Sequence, residues 1–267
     1  MDKIAPLLSI KDLNVHFISP QAMTHVVKGI NFNVFRGETL AIVGESGCGK
    51  SVTAQAIMHL LDDDTTKVSG EIWFENVPVH LMNKKQLQAL RGKKIGMIFQ
   101  DPSTSLNPTM KIGSQISETI IHHQGYSRKL ARKKALELLE KVGISDPAMR
   151  YNAYPFQMSG GMRQRVVIAI ALACSPMLLI ADEPTTALDV TVQAQILDLL
   201  KNICKSTDMS LLLITHDLGV VAGTCDRMAV MRSGEIVEQG SVDALFYKPT
   251  HPYTQTLMTA KYDKTFI

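Results

Sequence analysis

The chain lacks a paired cysteine motif, an apolar run of membrane-spanning length and a marked excess of either charge, and each absence narrows what it can be. Its four cysteines, Cys48, Cys174, Cys204 and Cys225, are scattered without a CxxC spacing, which fits reduced thiols in a cytosolic protein better than disulfides or a zinc site. The longest apolar stretch, Val166 to Ala181, is broken by Ser175-Pro176 and falls short of a spanning helix of about 20 residues; it reads as a buried helix, a turn and a buried strand. Lys and Arg number 28 against 25 Asp and Glu, a net charge of +3, too small an imbalance to argue for nucleic acid as a partner. The opening Met1-Asp2-Lys3-Ile4-Ala5-Pro6 has neither the basic head nor the apolar run of a secretion signal. The expectation is a protein that stays inside the cell and reaches any membrane through partners. Internal repeats and low-complexity segments are absent as well.

What is present is a phosphate cradle. Gly44-Glu45-Ser46-Gly47-Cys48-Gly49-Lys50-Ser51 has the GxxxxGK[ST] spacing, follows the apolar run Thr39–Val43 and precedes a helix-compatible segment from Val52 to Leu61. Glycines permit the tight turn and bring backbone N–H groups close to phosphate oxygens, while the helix start adds unpaired donors and a positive dipole end. Lys50 is placed to reach the outer phosphates and Ser51 to hold Mg²⁺. Cys48 lies inside the loop, where a thiolate would be open to oxidation that blocks nucleotide; a small filler residue is the preferred reading.

Hydrophobic patterning sets the surroundings. Leu8 to Phe17 and Val26 to Val34 alternate apolar and polar residues around an Arg36-Gly37-Glu38 turn, which predicts an antiparallel β region. Further strands are predicted at Thr39–Val43, Ile95–Phe99, Met177–Ala181, Ser210–Thr215 and Met228–Met231, separated by helical patterns, as in a mainly parallel α/β core. Between Pro102 and Ser159 the pattern is helical. There Leu130, Ala135, Leu138, Leu139 and Val142 form one apolar face, while Arg128, Lys129, Arg132, Lys133, Lys134 and Lys141 crowd the rest. A solvated helix face is preferred to lipid contact for that basic run. The whole chain, 1–267, is read as one unit with a core over 1–100 and 160–267 and a helical subdomain over about 102–159.

The strand ending in Asp182-Glu183 carries the second half of the chemistry. An open α/β sheet places its ligand at the carboxyl ends of its strands. Asp182 suits Mg²⁺ coordination, and Glu183, pointing elsewhere, suits the water that attacks a γ-phosphate.

With these residues in view, the chain resembles the nucleotide-binding subunits of ABC transporters over nearly its whole length. Met158-Ser159-Gly160-Gly161-Met162-Arg163-Gln164-Arg165 is similar to that family's signature motif, with Met162 where Gln is usual; Gln100 matches the Q-loop, Ala187-Leu188-Asp189 the D-loop and His216 the switch histidine. The resemblance implies a P-loop NTPase core that uses ATP and Mg²⁺. In such a cassette Lys50, Gln100, Glu183 and His216 serve catalysis, and Ser51, Gln100 and Asp182 hold the metal. Ser159, Gly160 and Gly161, ahead of a helix expected from about Gln164 to Cys174, would act on nucleotide held by a partner subunit, with Asp189 beside them. Phe17 is the candidate for stacking on adenine, or else a core aromatic.

Two stretches, Phe99-Gln100-Asp101-Pro102-Ser103-Thr104-Ser105-Leu106-Asn107-Pro108 and His251-Pro252-Tyr253-Thr254-Gln255-Thr256-Leu257, resemble oligopeptide, dipeptide and nickel importers. That branch implies a heterodimer with a second ATPase, two integral membrane permease subunits, an extracytoplasmic binding protein and a place at the cytoplasmic face of the membrane. Many peptide-importing relatives extend past this tail into a segment that can hold an iron–sulfur cluster; none is expected in this chain. A peptide importer is preferred over a nickel or metallophore importer. A soluble ABC ATPase of DNA repair or translation is the reading from another class, disfavoured because neither a coiled coil nor a second cassette is present. A degenerate subunit that binds ATP without hydrolysing it is opposed by Lys50, Asp182, Glu183 and His216.

Overall fold

The computed structural model describes residues 5–186 and 188–262, with side chains of the last helix as far as Thr259. In chain order the elements are β1 (Leu8–Ile18), β2 (Met23–Val34), β3 (Thr39–Val43), α1 (Lys50–Ile57), β4 (Thr66–Phe74), β5 (Val77–Pro78), α2 (Lys84–Leu90), β6 (Ile95–Ile98), α3 (Pro102–Ser105), α4 (Ile112–Gln124), α5 (Arg128–Lys141), α6 (Pro147–Tyr151), α7 (Gly160–Ala171), β7 (Leu178–Asp182), α8 (Val190–Thr207), β8 (Ser210–Thr215), α9 (Leu218–Thr224), β9 (Arg227–Arg232), β10 (Glu235–Ser241), α10 (Val242–Tyr247) and α11 (Pro252–Tyr262). The chain divides into two compact units. The first takes the chain through Leu87 and again from Ser210 onward, and the second is Gln88–Met209.

The first unit holds two β layers. In one, β1 pairs antiparallel with β2 on one side and with β4 on the other, and one face of the sheet buries Leu8, Ile10, Leu13 and Val15 of β1, the alternation shifted by an irregularity between Ile10 and Leu13, beside their cross-strand partners Val27, Ile30, Phe32 and Phe74. In the other, β3 pairs parallel with both β8 and β9, and β10 adds antiparallel to β9. Every residue of β3 and β8 is buried, as expected of parallel strands covered on both faces, which read as continuous apolar runs. Glu38, only 9% exposed at its side chain, accepts from the Arg227 guanidinium at 2.9 Å and ties the entry of β3 to β9.

The second unit pairs β6 parallel with β7 and packs them with helices. On α5 the buried stripe is Ala131, Ala135 and Leu139, continued by Val142, a spacing of about one turn. Leu130, expected on that stripe, is 41% exposed; it follows the Ser127 cap by three residues and faces away from the i, i+4 row. The basic face is largely in water, with Lys133 3.9 Å from Glu137, and two cations rest on aromatic rings, Arg132 on Tyr151 at 5.0 Å and Lys134 on Tyr126 at 5.2 Å.

Element boundaries differ from the sequence reading in ways that matter to function. Helix α1 begins at Lys50 rather than Val52 and ends at Ile57. Helix α7 begins at Gly160 rather than Gln164, because Ser159 caps it and accepts the Met162 N–H at 3.3 Å. The stretch Val166 to Ala181 is the buried helix, turn and strand that its apolar run suggested, with Ser175 at φ 52° in the turn. Strands β4 and β10 carry no clear alternation and were not expected.

Candidate functional site

In the first unit, the backbone of the phosphate loop is fixed by what surrounds it. A Cβ at Gly44 would sit 2.1 Å from the Met231 carbonyl oxygen and 2.9 Å from Cys48 Sγ, so only glycine lets the loop pass the end of β9. Gly49 enters α1 at φ 107°, in the left-handed region that favours glycine, and no side chain caps the helix. The Cys48 carbonyl accepts the Gly234 N–H at 3.0 Å, which fastens the loop to the β9–β10 turn. Lys50 is 4% exposed, and its ammonium donates to the Gly44 and Glu45 carbonyls, both at 2.8 Å. A buried cation is thereby held at the rim of an uncapped helix start, whose first-turn N–H groups have no partners within the helix. Burial pushes the Cys48 thiol above its ordinary range, in spite of Lys50 nearby, which keeps it a thiol at neutral pH and supports the filler reading. All four cysteines are free.

Register brings His216 to the same end of the unit. Val43, which leads into the loop, is the β-partner of Thr215, which leads into His216. The imidazole is on an exposed residue, and the next residue, Asp217, caps α9 by accepting the Gly219 N–H at 2.7 Å. Phe17, on β1 between Thr24 and Thr66, is 36% exposed. It is therefore not the core aromatic that its strand position also allowed.

The second unit repeats the arrangement with opposite charge. Ile98 of β6 pairs with Ala181 of β7, so Gln100 and Asp182-Glu183 leave adjacent strand ends. Asp182 closes β7 and is 4% exposed. Glu183 then turns the chain at φ 46°, and its carboxylate accepts from Gln100 Nε2 at 3.1 Å and from the Thr186 hydroxyl at 2.8 Å. The left-handed turn explains how two consecutive acids diverge: one stays at the buried strand end while the other meets Gln100. Thr186 was not singled out from sequence, since a hydroxyl three residues past an acid has no distinguishing pattern. Asp189 caps α8 by accepting the Val192 N–H at 3.0 Å, and of the stretch Ala187-Leu188-Asp189, Ala187 lies outside the described residues. Ser159 is exposed, and Gly160 and Gly161 form the first turn of α7 instead of preceding it.

This geometry has close counterparts. The family model described as ABC transporter matches residues 27–186. The chain belongs to the ABC transporter family. Over 261 residues this cassette is 56% identical to the oligopeptide transport ATP-binding protein OppD of Bacillus subtilis, covering 97% of this chain and 73% of that one. It is 52% identical over 259 residues to the dipeptide transport ATP-binding protein DppD of the same organism, covering 97% and 76%. Among solved structures, the dimeric ATP-binding cassette MJ0796 in a post-hydrolysis state bound to ADP and Pi superposes with a TM-score of 0.78 at 30% identity, over 88% of this chain and 98% of that one. The cassette is thus an ABC-type ATPase with a P-loop NTPase fold, a mixed α/β core and an antiparallel β region.

Among the described residues no group of three or more His, Cys, Asp or Glu forms a ready-made metal centre. No helix among the described residues is long and apolar enough to cross a membrane.

Proposed function

We propose that this ABC cassette is the ATP-hydrolysing subunit of an importer of oligopeptides or dipeptides, working as a dimer with a second ATPase beneath two permease subunits that are supplied by an extracytoplasmic binding protein. It sits peripherally at the cytoplasmic face of the membrane. The observation that carries the peptide reading is sequence identity of 52–56% over 97% of the chain to cassettes named for oligopeptide and dipeptide transport.

Each residue has a role set by its chemistry. Lys50 and the backbone of Gly44, Glu45, Ser46, Gly47, Cys48 and Gly49 hold the phosphates, the ammonium neutralising charge that the helix start already favours. Ser51, Gln100 and Asp182 hold Mg²⁺, which when bound neutralises phosphate charge. Glu183, with its carboxylate oriented by Gln100 and Thr186, takes the proton of the attacking water. His216 at the end of β8 donates to the γ-phosphate. Ser159, Gly160 and Gly161 present the start of α7 to nucleotide held by the other subunit, beside Asp189, and Phe17 stacks on adenine. The helical segment 102–159 includes a cavity of about 540 Å³ lined by Met110, Ser117, Glu118, Arg128 and Tyr151, concave and mixed enough to receive a permease segment.

Two experiments test the proposal. Retrieval of the tagged protein from native membranes in mild detergent, with mass spectrometry of what is retained, is expected to return two polytopic proteins and a second ATPase; ribosomal or DNA-repair partners would overturn the transport reading. In the assembled complex, Glu183→Gln is expected to keep ATP binding and to lower turnover by about 10²–10⁴-fold, the usual reach of a general base. Undiminished turnover would remove Glu183 from that role.

A further inference from the structure

Arg165, in the second turn of α7, has no part in the roles above, yet its guanidinium joins three helices of the second unit. Nη1 donates to the Val142 carbonyl at 2.6 Å, and Nη2 donates to Gln195 Oε1 of α8 at 3.1 Å. Val142 is the buried C-cap of α5, a position whose carbonyl has no partner within its own helix and where the dipole end favours a cation. A Cβ at the next residue, Gly143, would lie 2.8 Å from Arg165 Nη1, so the guanidinium occupies the space that a side chain there would need.

The contact with α8 is one rung of a ladder. A Cβ at Gly160 would lie 3.7 Å from Leu188 Cδ2 and one at Gly161 2.7 Å from Val192 Cγ1, and one turn further on Arg165 meets Gln195. Gly161 and Arg165 are four residues apart on α7, and Val192 and Gln195 three apart on α8, so each pair shares a helix face and the rungs climb both helices in step. The two helices therefore start side by side. Their caps are Ser159, which accepts the Met162 N–H at 3.3 Å, and Asp189, which accepts the Val192 N–H at 3.0 Å. The lower rungs are apolar contacts without direction. The upper one is directional, because a planar guanidinium presents its donors in a fixed fork and its other arm is already held by α5.

We propose that Arg165 is a positioning residue for the half of the ATP site that this chain lends to its partner: anchored on the α5 carbonyl and bonded to Gln195, it fixes the spacing of the α7 and α8 starts, so that Ser159–Gly161 and Asp189 reach the partner's nucleotide together. This rests on the reading of those residues as acting on nucleotide held by the other subunit. A misplacement of about 1 Å at such a site can cost on the order of 100-fold in rate, which gives a remote hydrogen bond leverage over turnover.

The test uses the assembled complex, with turnover measured at saturating ATP and vanadate trapping of radiolabelled azido-ATP to show which subunit's phosphate loop has hydrolysed, together with mant-ATP titrations and thermal melts of the full chain. Gln195→Ala removes the exposed end of the upper rung and leaves the bond to Val142. It is expected to lower kcat about fivefold, the rate equivalent of one ordinary hydrogen bond, with trapping reduced on the partner's loop and with the altered chain's mant-ATP affinity and melting temperature unchanged. Gln195→Glu, which offers the guanidinium a carboxylate oxygen at the same place, is expected to restore turnover. Arg165→Lys, whose single ammonium cannot span both acceptors, is expected to lose at least as much turnover as Gln195→Ala and to melt lower. Wild-type turnover in Gln195→Ala would overturn the proposal, as would a loss that Gln195→Glu does not restore or one that maps to the altered subunit's own loop. Ser159→Arg separates the proposal from the reading beneath it. If that variant leaves trapping on the partner's loop intact, the start of α7 does not act across the dimer and the proposal falls with that reading; if it abolishes trapping there while Gln195→Ala does not reduce it, the proposal alone falls.

Discussion

At Gly49 the chain enters α1 through a left-handed residue with no capping side chain, whereas at Ser159 it enters α7 through an extended residue whose hydroxyl accepts the Met162 N–H. Both are glycine-rich helix starts, yet only the first presses a glycine against backbone. Around Gly44 a Cβ would collide with the Met231 carbonyl, while at Gly160 the nearest atom to a Cβ, on the Leu188 side chain, is 3.7 Å away. A buried ammonium stands at the first, and the second opens on solvent at Ser159. The contrast separates two reasons for glycine. In the phosphate loop it is demanded by the protein's own backbone; at Gly160 no described residue of this chain demands it.

The most severe way to sharpen that contrast is to damage the first site. Lys50→Ala removes a cation whose charge-assisted hydrogen bonds to phosphate are worth about 1.5–3 kcal/mol each, so nucleotide affinity is expected to fall by about 100-fold or more in equilibrium titration. Gly44→Ala is expected to lose nucleotide binding together with thermal stability, since the added methyl meets backbone. Retained binding in Gly44→Ala would show that the loop tolerates a shift away from Met231 and would break the distinction.

Ser159→Arg comes next. Loss of the cap costs about 1 kcal/mol of helix stability, a modest shift in melting temperature. Its own nucleotide site should bind normally. In mixed dimers carrying one altered subunit, the expected loss of hydrolysis maps to the nucleotide of the unaltered partner, and a loss at the altered subunit's own nucleotide would sink the head-to-tail arrangement.

How much of this was legible beforehand depends on the range of the interaction. The buried strands Thr39–Val43 and Ser210–Thr215 were found at their bounds because parallel strands covered on both faces are unbroken apolar runs. Lys50, Asp182, Glu183 and His216 stand out in the sequence because motif spacing fixes their types; the structure places Lys50 at the start of α1 and the other three at or just past strand ends. The start of α7 was missed by four residues, since two glycines read as a loop until Ser159 is seen to cap them. β10 was missed because Glu235-Ile236-Val237-Glu238-Gln239 is a polar strand paired along one side, to β9. Most hidden was the tie between Glu38 and Arg227, 189 residues apart, since no local pattern encodes a contact of that range.

Gly160→Ala and Gly161→Ala subdivide the second helix start. Gly160 has room for the methyl and a conformation open to alanine, and alanine's better helix propensity adds about 0.5–1 kcal/mol at most; its melting temperature is expected to hold or rise slightly. At Gly161 a Cβ would lie 2.7 Å from Val192 Cγ1, so α8 must yield and the melting temperature is expected to fall by a few degrees. If ATPase activity in the complex falls for Gly160→Ala although its fold is intact, the glycine serves a ligand from outside. Full activity would dismiss that role for position 160.

The smallest expected effect concerns the anchor of α11, and its sign can be fixed from the charge it carries. Glu238 is held at about 2 in the folded protein against an ordinary 4.5, so it contributes stability above the unfolded value, and that contribution is lost as pH falls from about 4.5 toward 2. Glu238→Gln, unable to give the Thr250 and His251 donors a charged acceptor, is expected to melt a few degrees below the unaltered protein at pH 7. The gap should narrow as both are taken below pH 4.5, because the Glu238 carboxylate of the unfolded chain takes up its proton there and favours unfolding, while the amide does not change. A gap independent of pH would mean that the segment before α11 is held by shape alone.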